Sequence, residues 1–375
     1  MIPPAMPLTN PTLSLNVFEF EAKPSAEEAL EALAGLAIPP IETLNVEPIS
    51  GWATPRFLLD REVTDETCRA GKYLHVNFAK AERKIPKSLL TAYCRMEELA
   101  VMKERGLQAL SRKEKAQIKD EMRKRMLPKM PPNLTGSDVA LDLPARRLYT
   151  DATSQGRIEK LELLLAQTLH TAMVPLDPAG AAVRLFGVQA EDLAPVVFSP
   201  KPNGDFVVNS VGFDFLTWLL FRVETGRTSF DLGGGLRDVR VALDGPVAMR
   251  LEAQGAHRVA LRDGAPLGGV ECQAALLAGK KISSVKMALQ LAEDQVYSAV
   301  VDGGTFSFHS LKPPALDANR DAREIFVDRM SQLQVFADAF YALFGLFLRE
   351  RTDGDAWGKT IREIHAWLPA RRAQA

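Results

Sequence analysis

The sequence predicts an α+β fold, and three observations carry that expectation. Short runs in which apolar and polar residues alternate, such as Lys72–Ala79 and Gln295–Val301, mark strands in both halves of the chain. Longer stretches with helical spacing, at Ser88–Arg105, Ser111–Leu127 and Asn319–Arg351, stand apart from these strand clusters. They do not follow each strand in turn, so regular β-α-β alternation and a parallel sheet are not expected.

The elements read as follows. In Thr12–Ala22, Leu13, Leu15 and Val17 share one face, then the phase flips to Phe18 and Phe20. A one-residue bulge near Val17–Phe18 would keep all five on one core face, and a strand covered on both sides is the alternative. Ser25–Leu36 reads as a short helix with Ser25 as N-cap and Glu27 and Glu28 in its favourable first turn. Ser88–Arg105 and Ser111–Leu127 form a helix pair joined around Gly106, with Ser111 and Glu114 spaced as a capping box. The second of these offers only Ala116, Ile118, Met122, Met126 and Leu127 to a core, so it should stand out as an arm. Pro128, Pro131 and Pro132 stop it.

Val139–Asp142 and Arg147–Asp151 form a strand pair, Arg157–His170 an amphipathic helix, and Val211–Phe221 a buried helix. Val239–Leu261 shows short strand-like runs split by Gly245 and Gly255, Glu271–Ala278 is a short helix, and three strands follow at Val285–Leu291, Gln295–Val301 and Thr305–Leu311. Met330, Leu333, Ala337, Phe340, Phe344 and Phe347 step by three and four along Asn319–Arg351. Such a stripe packs within one chain more often than it forms a dimer seam.

Composition narrows the function. A hydrophobic share of 46% and a charged share of 25% are those of an ordinary globular chain, and 375 residues allow two or three domains. No stretch approaches the roughly 20 apolar residues of a membrane helix; the longest candidate, Phe213–Val223, is broken by Asp214 and Arg222, so no membrane partner is expected. The first residues lack the basic start and apolar run of a signal peptide, and Cys68, Cys94 and Cys272 form no CxxC pair. A cytoplasmic protein is expected.

Charge is segregated. Residues 79–130 hold 15 Lys/Arg against 7 Asp/Glu, a surplus of eight positive charges in a chain of net charge −1. The remainder therefore carries −9, and a polyanion would respond to the basic window rather than to the total. A solvated helix pair with Lys and Arg on its outer faces is the plainer reading of the same charges.

Several motifs then resemble the RdgC family. Gly51-Trp52-Ala53-Thr54-Pro55, the strand Tyr73–Ala79, Glu82-Arg83-Lys84-Ile85-Pro86, Ser111-Arg112-Lys113-Glu114-Lys115 and Met126-Leu127-Pro128-Lys129 run in the family's order. Leu148–Asp151, Lys160–Leu169, Val174-Pro175-Leu176, Phe215–Leu220, Ala278-Gly279-Lys280 and Lys286–Leu291 continue it, so the resemblance spans about residues 50–315. It implies a multi-domain, horseshoe-like α+β subunit with a projecting basic helical arm, two of which form a ring-shaped homodimer. Duplex DNA would pass through the ring without sequence preference, the RecA recombinase would be antagonised, and the protein would be nucleoid-associated and non-catalytic. The expected parts are an N-terminal α+β region (1–85), the arm (86–132), an α+β body with DNA-facing cations (133–315) and a C-terminal helix and tail (316–375). Where the family has LLPRAF, this chain has Lys129 and Pro131 in place of the Arg and the aromatic. The charge at the expected dimer gate, Lys129-Met130-Pro131, is thus kept and the aromatic is not. The chain after Thr352 looks additional.

A protein that encloses DNA non-specifically needs cations facing phosphates. Lys280 is the first candidate, since the family's basic position after Ala-Gly is matched there, and Gly279 can end the preceding helix. Lys281 and Lys286 are its neighbours, and Arg112, Lys113, Lys119, Arg123 and Lys129 are the arm candidates. Arg112, Lys119 and Arg123 share a helix face that Lys113 does not. No cofactor or metal is expected, because the five histidines show no ligand spacing and Gly233-Gly234-Gly235 is neither a Walker A nor a GxGxxG pattern. The alternatives are a metal-dependent DNA exonuclease built on Asp60 and Glu82-Arg83-Lys84, which has the order of a carboxylate followed by E-x-K, and a protein-only scaffold.

Overall fold

The structure is a computed structural model that describes residues 7–189, 193–200, 210–252, 257–317 and 319–371. It begins with β1 (Leu13–Phe20), α1 (Ala26–Gly35), β2 (Ile49–Ala53), the one-turn α2 (Asp65–Cys68), β3 (Arg69–Ala70) and β4 (Tyr73–Arg83). The helix pair α3 (Lys87–Arg105) and α4 (Arg112–Met126) leads into β5 (Pro132–Asp142) and β6 (Arg147–Thr150). Next come α5 (Gln155–Leu169), β7 (Met173–Pro175), α6 (Pro178–Phe186) and α7 (Val211–Glu224). β8 (Ser229–Phe230), β9 (Val239–Arg250) and β10 (Arg258–Leu261) precede α8 (Val270–Leu277). The last described elements are β11 (Lys281–Ala292), β12 (Gln295–Asp302), β13 (Phe308–Lys312), α9 (Ala322–Thr352) and α10 (Gly354–Ala370). The fold is mixed α+β, with extensive antiparallel pairing.

The chain divides into two compact units, and neither is one continuous segment. Unit 1 comprises Met1–Lys23, Ala70–Leu74 and Val139–Ala375; unit 2 comprises Pro24–Arg69 and His75–Asp138. This division differs from the parts expected from the sequence, 1–85, 86–132, 133–315 and 316–375. The physical reason is strand pairing: β1 pairs with β13, Leu13 opposite Leu311, which takes the first residues into the unit built by the last ones.

In unit 1 the strands run antiparallel in the order β10-β9-β11-β12-β13-β1-β6. Residues 285, 287 and 289 of β11 point into the core and 286 and 288 away from it, the alternation of a half-buried strand. α7 is buried over eleven consecutive residues, and α9 places Met330, Leu333, Ala337, Phe340, Phe344 and Phe347 in the same core. The stripe on α9 is thus packing within the chain. Phe306 meets Phe340 edge-on at 4.9 Å and Phe215 meets it at 5.7 Å, contacts worth about 0.5–1.5 kcal/mol each beyond their burial. Among the described residues α9, rather than Phe213–Val223, is the helix long and apolar enough to cross a membrane by length and composition, and most of that stretch is buried in the core. Asp338 near its middle breaks the apolar run, so no uninterrupted stretch marks it in the sequence. α10 is no loose tail, for Trp357, Ile364 and Leu368 are buried in this core.

β1 settles the question left open by its pattern. The irregularity lies between Leu13 and Leu15, whereas Asn16 to Glu19 pair without a break with Thr150 to Arg147. There is no bulge at Val17–Phe18; the strand is covered on both faces, and Asn16, Val17, Phe18 and Phe20 are all buried. Gly245 does not split the strand expected there, since β9 runs through it; Gly255 lies outside the described residues.

In unit 2, β2 pairs antiparallel with β4, Gly51 opposite Ala79 and Trp52 opposite Phe78. A side chain at Gly51 would meet the Ile38 backbone nitrogen at 2.5 Å, so the Gly-Trp-Ala motif starts with glycine to let a neighbouring segment approach and bond to Trp52. Ser25 and Glu28 form a reciprocal capping box at α1, as do Ser111 and Glu114 at α4. α3 ends at Gly106, whose φ of +65° is left-handed. α3 and α4 pack through Cys94, Leu110, Ile118, Met122 and Met126, with Leu90, Val101 and Met102 beside them. The opposite side of α3 exposes Tyr93, Met96 and Leu99.

Candidate nucleic-acid interface

The basic cleft of unit 2 is built by this helix pair. Ser111 Oγ accepts from the Glu114 backbone N–H at 3.3 Å, and the Glu114 carboxylate accepts from the Ser111 N–H at 2.9 Å. The hydrogen bonds from Ser111 hold the Glu114 carboxyl below the usual carboxylate range. From this start, Ile118, Met122 and Met126 recur every four residues and turn towards α3. Lys115, Lys119 and Arg123 recur with the same spacing one ridge over. The buried apolar ridge therefore fixes where the cationic ridge points.

That ridge forms one wall of a cleft of about 1130 Å³; the end of β4 and the first half of α3 contribute Arg83, Lys84, Lys87 and Arg95. Some of these cations are already neutralised. Lys84 lies 2.5 Å from Glu82, Arg95 3.3 Å from Glu98 and Lys124 2.8 Å from Asp120. Lys80 and Lys84 together hold the Glu82 carboxyl well below its ordinary value. Arg83 donates to the carbonyl oxygens of Leu44, at 3.2 Å, and of Met130. Lys87, Lys115, Lys119 and Arg123 line the cleft with no carboxylate in salt-bridge range among the described residues. An oxyanion could enter without displacing an internal partner of these four.

The structure thus gathers Lys119 and Arg123, adds Lys87 and Lys115, and leaves three expected residues elsewhere. Arg112 and Lys113 are exposed at the start of α4, outside the cleft, and Lys129 is exposed on the turn after it. Of the remaining gate residues, Met130 is half-buried and Pro131 exposed. Lys115 could have been found from its i, i+4 relation to Lys119. Lys87 could not, since only the packing of α3 on α4 carries it across the cleft.

In unit 1 the three expected lysines part company. Lys280 is half-buried and follows a helix end of the kind expected: its N–H bonds to the Ala275 carbonyl at 3.0 Å, the Gly279 N–H to Leu276 at 3.0 Å, and Gly279 has φ +89°. Lys286 is partly exposed, 3.5 Å from Asp244. Lys281 is not a surface residue at all and must be withdrawn from the DNA-facing set. It is 2% exposed, with its Nζ 2.6 Å from Asp214 and 2.5 Å from Glu252. Burial pushes the Asp214 carboxyl up to about 6 against the opposing pull of Lys281, and the nearby Glu252 carboxylate adds to the rise. A buried ammonium held by two carboxylates has no charge to offer a phosphate.

The carboxylates of the exonuclease alternative are engaged separately. Asp60 accepts from Thr54 Oγ1 at 2.7 Å, and Glu82 is held by Lys80 and Lys84. Among the described residues no group of three or more His, Cys, Asp or Glu side chains is placed to hold a metal ion.

Residues 13–185 match the family model described as "Putative exonuclease, RdgC". Over residues 13–185 the chain is therefore similar to the RdgC family. Among curated relatives, the recombination-associated protein RdgC of Psychromonas ingrahamii is 27% identical over 167 residues, covering 44% of this chain and 48% of that protein. The match thus spans about half the length of the curated relative. The RdgC-like stretch takes in the whole of unit 2, cleft included, but not Lys280, Lys281 or Lys286.

Proposed function

We propose that this chain binds double-stranded DNA without sequence preference and acts in recombination. The observation that carries the reading is the cleft between α3 and α4, where Lys87, Lys115, Lys119 and Arg123 have no carboxylate in salt-bridge range among the described residues. Phosphates attract such cations whatever the sequence, and no exposed helix here need enter a groove to read bases. The match of residues 13–185 to the RdgC family model and the name of the Psychromonas relative support the recombination role. By the same resemblance, two horseshoe-like subunits close around the duplex as a homodimer, with Lys129-Met130-Pro131 at the gate, and the bound ring opposes RecA on the nucleoid in the cytoplasm. Lys280 and Lys286 belong to the proposed DNA-facing set, and Arg112, Lys113 and Lys129 are further arm contacts.

The test is a titration of two unrelated duplexes across salt concentration. Equal affinity for both, falling steeply with salt, is expected, because each neutralised phosphate adds about −0.9 to the slope of log K against log salt. A flat response, or strong preference for one duplex, overturns the proposal. The family model's description also names an exonuclease. We expect no cleavage of linear DNA with Mg²⁺ or Mn²⁺; cleavage abolished by Glu82→Ala would establish the enzyme instead.

A further inference from the structure

The Gly-Trp-Ala-Thr-Pro motif runs into a loop, residues 54–63, whose construction the DNA cleft does not explain. The Thr54 N–H donates to the Asp60 carbonyl at 2.8 Å, and the Asp60 N–H donates back to Phe57 at 2.9 Å. Thr54 Oγ1 donates to Asp60 Oδ2 at 2.7 Å, and the other carboxylate oxygen accepts from the Glu62 N–H at 3.1 Å. From the β4 side, Asn77 Nδ2 donates to the Thr54 carbonyl at 2.9 Å. Leu58 turns inward beside Ile38, Ala53 and Ala79 and fills the space left by Gly136. The loop is closed at both ends and anchored in its middle.

What it holds outward is apolar. Phe57 is 60% exposed and Leu59 49% exposed, on either side of the partly buried Leu58. Among the described residues no ring or cation stacks on Phe57. Arg56 stands next to it, half-exposed and 3.8 Å from Asp60, and Arg61, whose Nε donates to the Ile38 carbonyl, is exposed three residues beyond Leu58. A rigid aromatic with its neighbours already fixed loses little conformational entropy on binding.

We infer that Phe57, with Leu59 beside it and Arg56 and Arg61 as phosphate contacts, is a base-stacking wedge that takes one unstacked nucleobase. The inference rests on the DNA reading above. It favours a nucleobase over a protein partner for two reasons. Two apolar side chains at a loop tip fall far short of the roughly 800 Å² per partner that a specific protein interface covers, whereas one planar base or one opened base step accepts a single wedge. The loop also belongs to the unit that holds the basic surplus of residues 79–130, so strands are drawn to this unit. The chain should therefore prefer duplexes with an open step, such as a mismatch or a one-nucleotide gap, over an intact duplex of the same length.

The experiment uses the full chain with two 20-base-pair duplexes, one intact and one with a central T·T mismatch, each carrying 2-aminopurine beside the centre. Wild type should bind the mismatched duplex several-fold more tightly and change its 2-aminopurine fluorescence. Phe57→Ala should lose about tenfold on that duplex, and the fluorescence change with it, while keeping its affinity for the intact one. Phe57→Trp should retain both. Equal binding of the two duplexes by wild type and Phe57→Ala overturns the wedge and leaves the DNA reading standing. Absence of binding to either duplex overturns both. A change in solution mass on Phe57→Ala shows that Phe57 meets protein, and also overturns the wedge.

Discussion

Lys119 and Lys281 are the same residue type in two environments, and the contrast between them separates a binding cation from a structural one. Lys119 stands on an exposed ridge with no carboxylate in reach among the described residues, and its long stem keeps the charge in water. Lys281 is enclosed with Asp214 and Glu252 at 2.6 and 2.5 Å, so its single charge is taken up by these two carboxyl groups. Removing the first should alter what the protein binds and leave its stability almost unchanged. Removing the second should do the reverse.

The sharpest attack on that contrast is Lys281→Met. It leaves two carboxylates buried without their cation and should cost about 3–5 kcal/mol in chemical denaturation. A loss below about 1 kcal/mol would mean that the cluster is solvated. Asp214→Asn should be far milder, because Lys281 and Glu252 remain as a one-to-one pair. It should also change the pH profile. The folded Asp214 carboxyl, pushed up to about 6, binds protons more readily than the unfolded one near its ordinary value. This group therefore favours the folded state increasingly as pH falls from 7 towards 4, and that contribution is lost as pH rises through about 6. Asp214→Asn should flatten that part of the curve.

On the binding side, Lys119→Ala with Arg123→Ala should flatten the salt slope by about 1.8 per chain if both cations meet phosphates. Melting should be almost unchanged, since exposed substitutions seldom shift stability by more than about 0.5 kcal/mol. A normal slope would move the interface away from the cleft. A smaller effect is expected from Ser111→Ala, which removes the α4 cap that positions both ridges and should cost about 1 kcal/mol. The smallest is Lys280→Ala, at most about 0.9 in slope per chain and no change in melting. If it equals the double variant, the half-buried Lys280 contributes more than the open cleft.

Local features were readable from the sequence wherever the cause was local. The N-cap at Ser25, the capping box at Ser111, the helix end at Gly279 and the core stripe of α9 each depend on residues three to five apart. Lys281 was misjudged because strand position says nothing about a carboxylate 67 residues earlier in the chain, at Asp214. The double coverage of β1 and the inward packing of α10 were hidden for the same reason, although Trp357, Ile361, Ile364 and Leu368 have a helical period that could have been noticed. The cleft was half legible: Lys119 and Arg123 follow from periodicity, and Lys87 depends on the tertiary pairing of two helices.

The pairing of Leu13 with Leu311 also bears on how the protein is made. At about 5–20 residues per second, a ribosome takes roughly 15–60 seconds to go from the first of these strands to the second. Throughout that interval β1 has an unfilled hydrogen-bonding edge and apolar residues on both faces, the kind of segment that recruits another chain. A truncation that stops before residue 308 should therefore accumulate as aggregate even though it contains every residue of unit 2. Nascent chains should engage holding chaperones until β13 emerges.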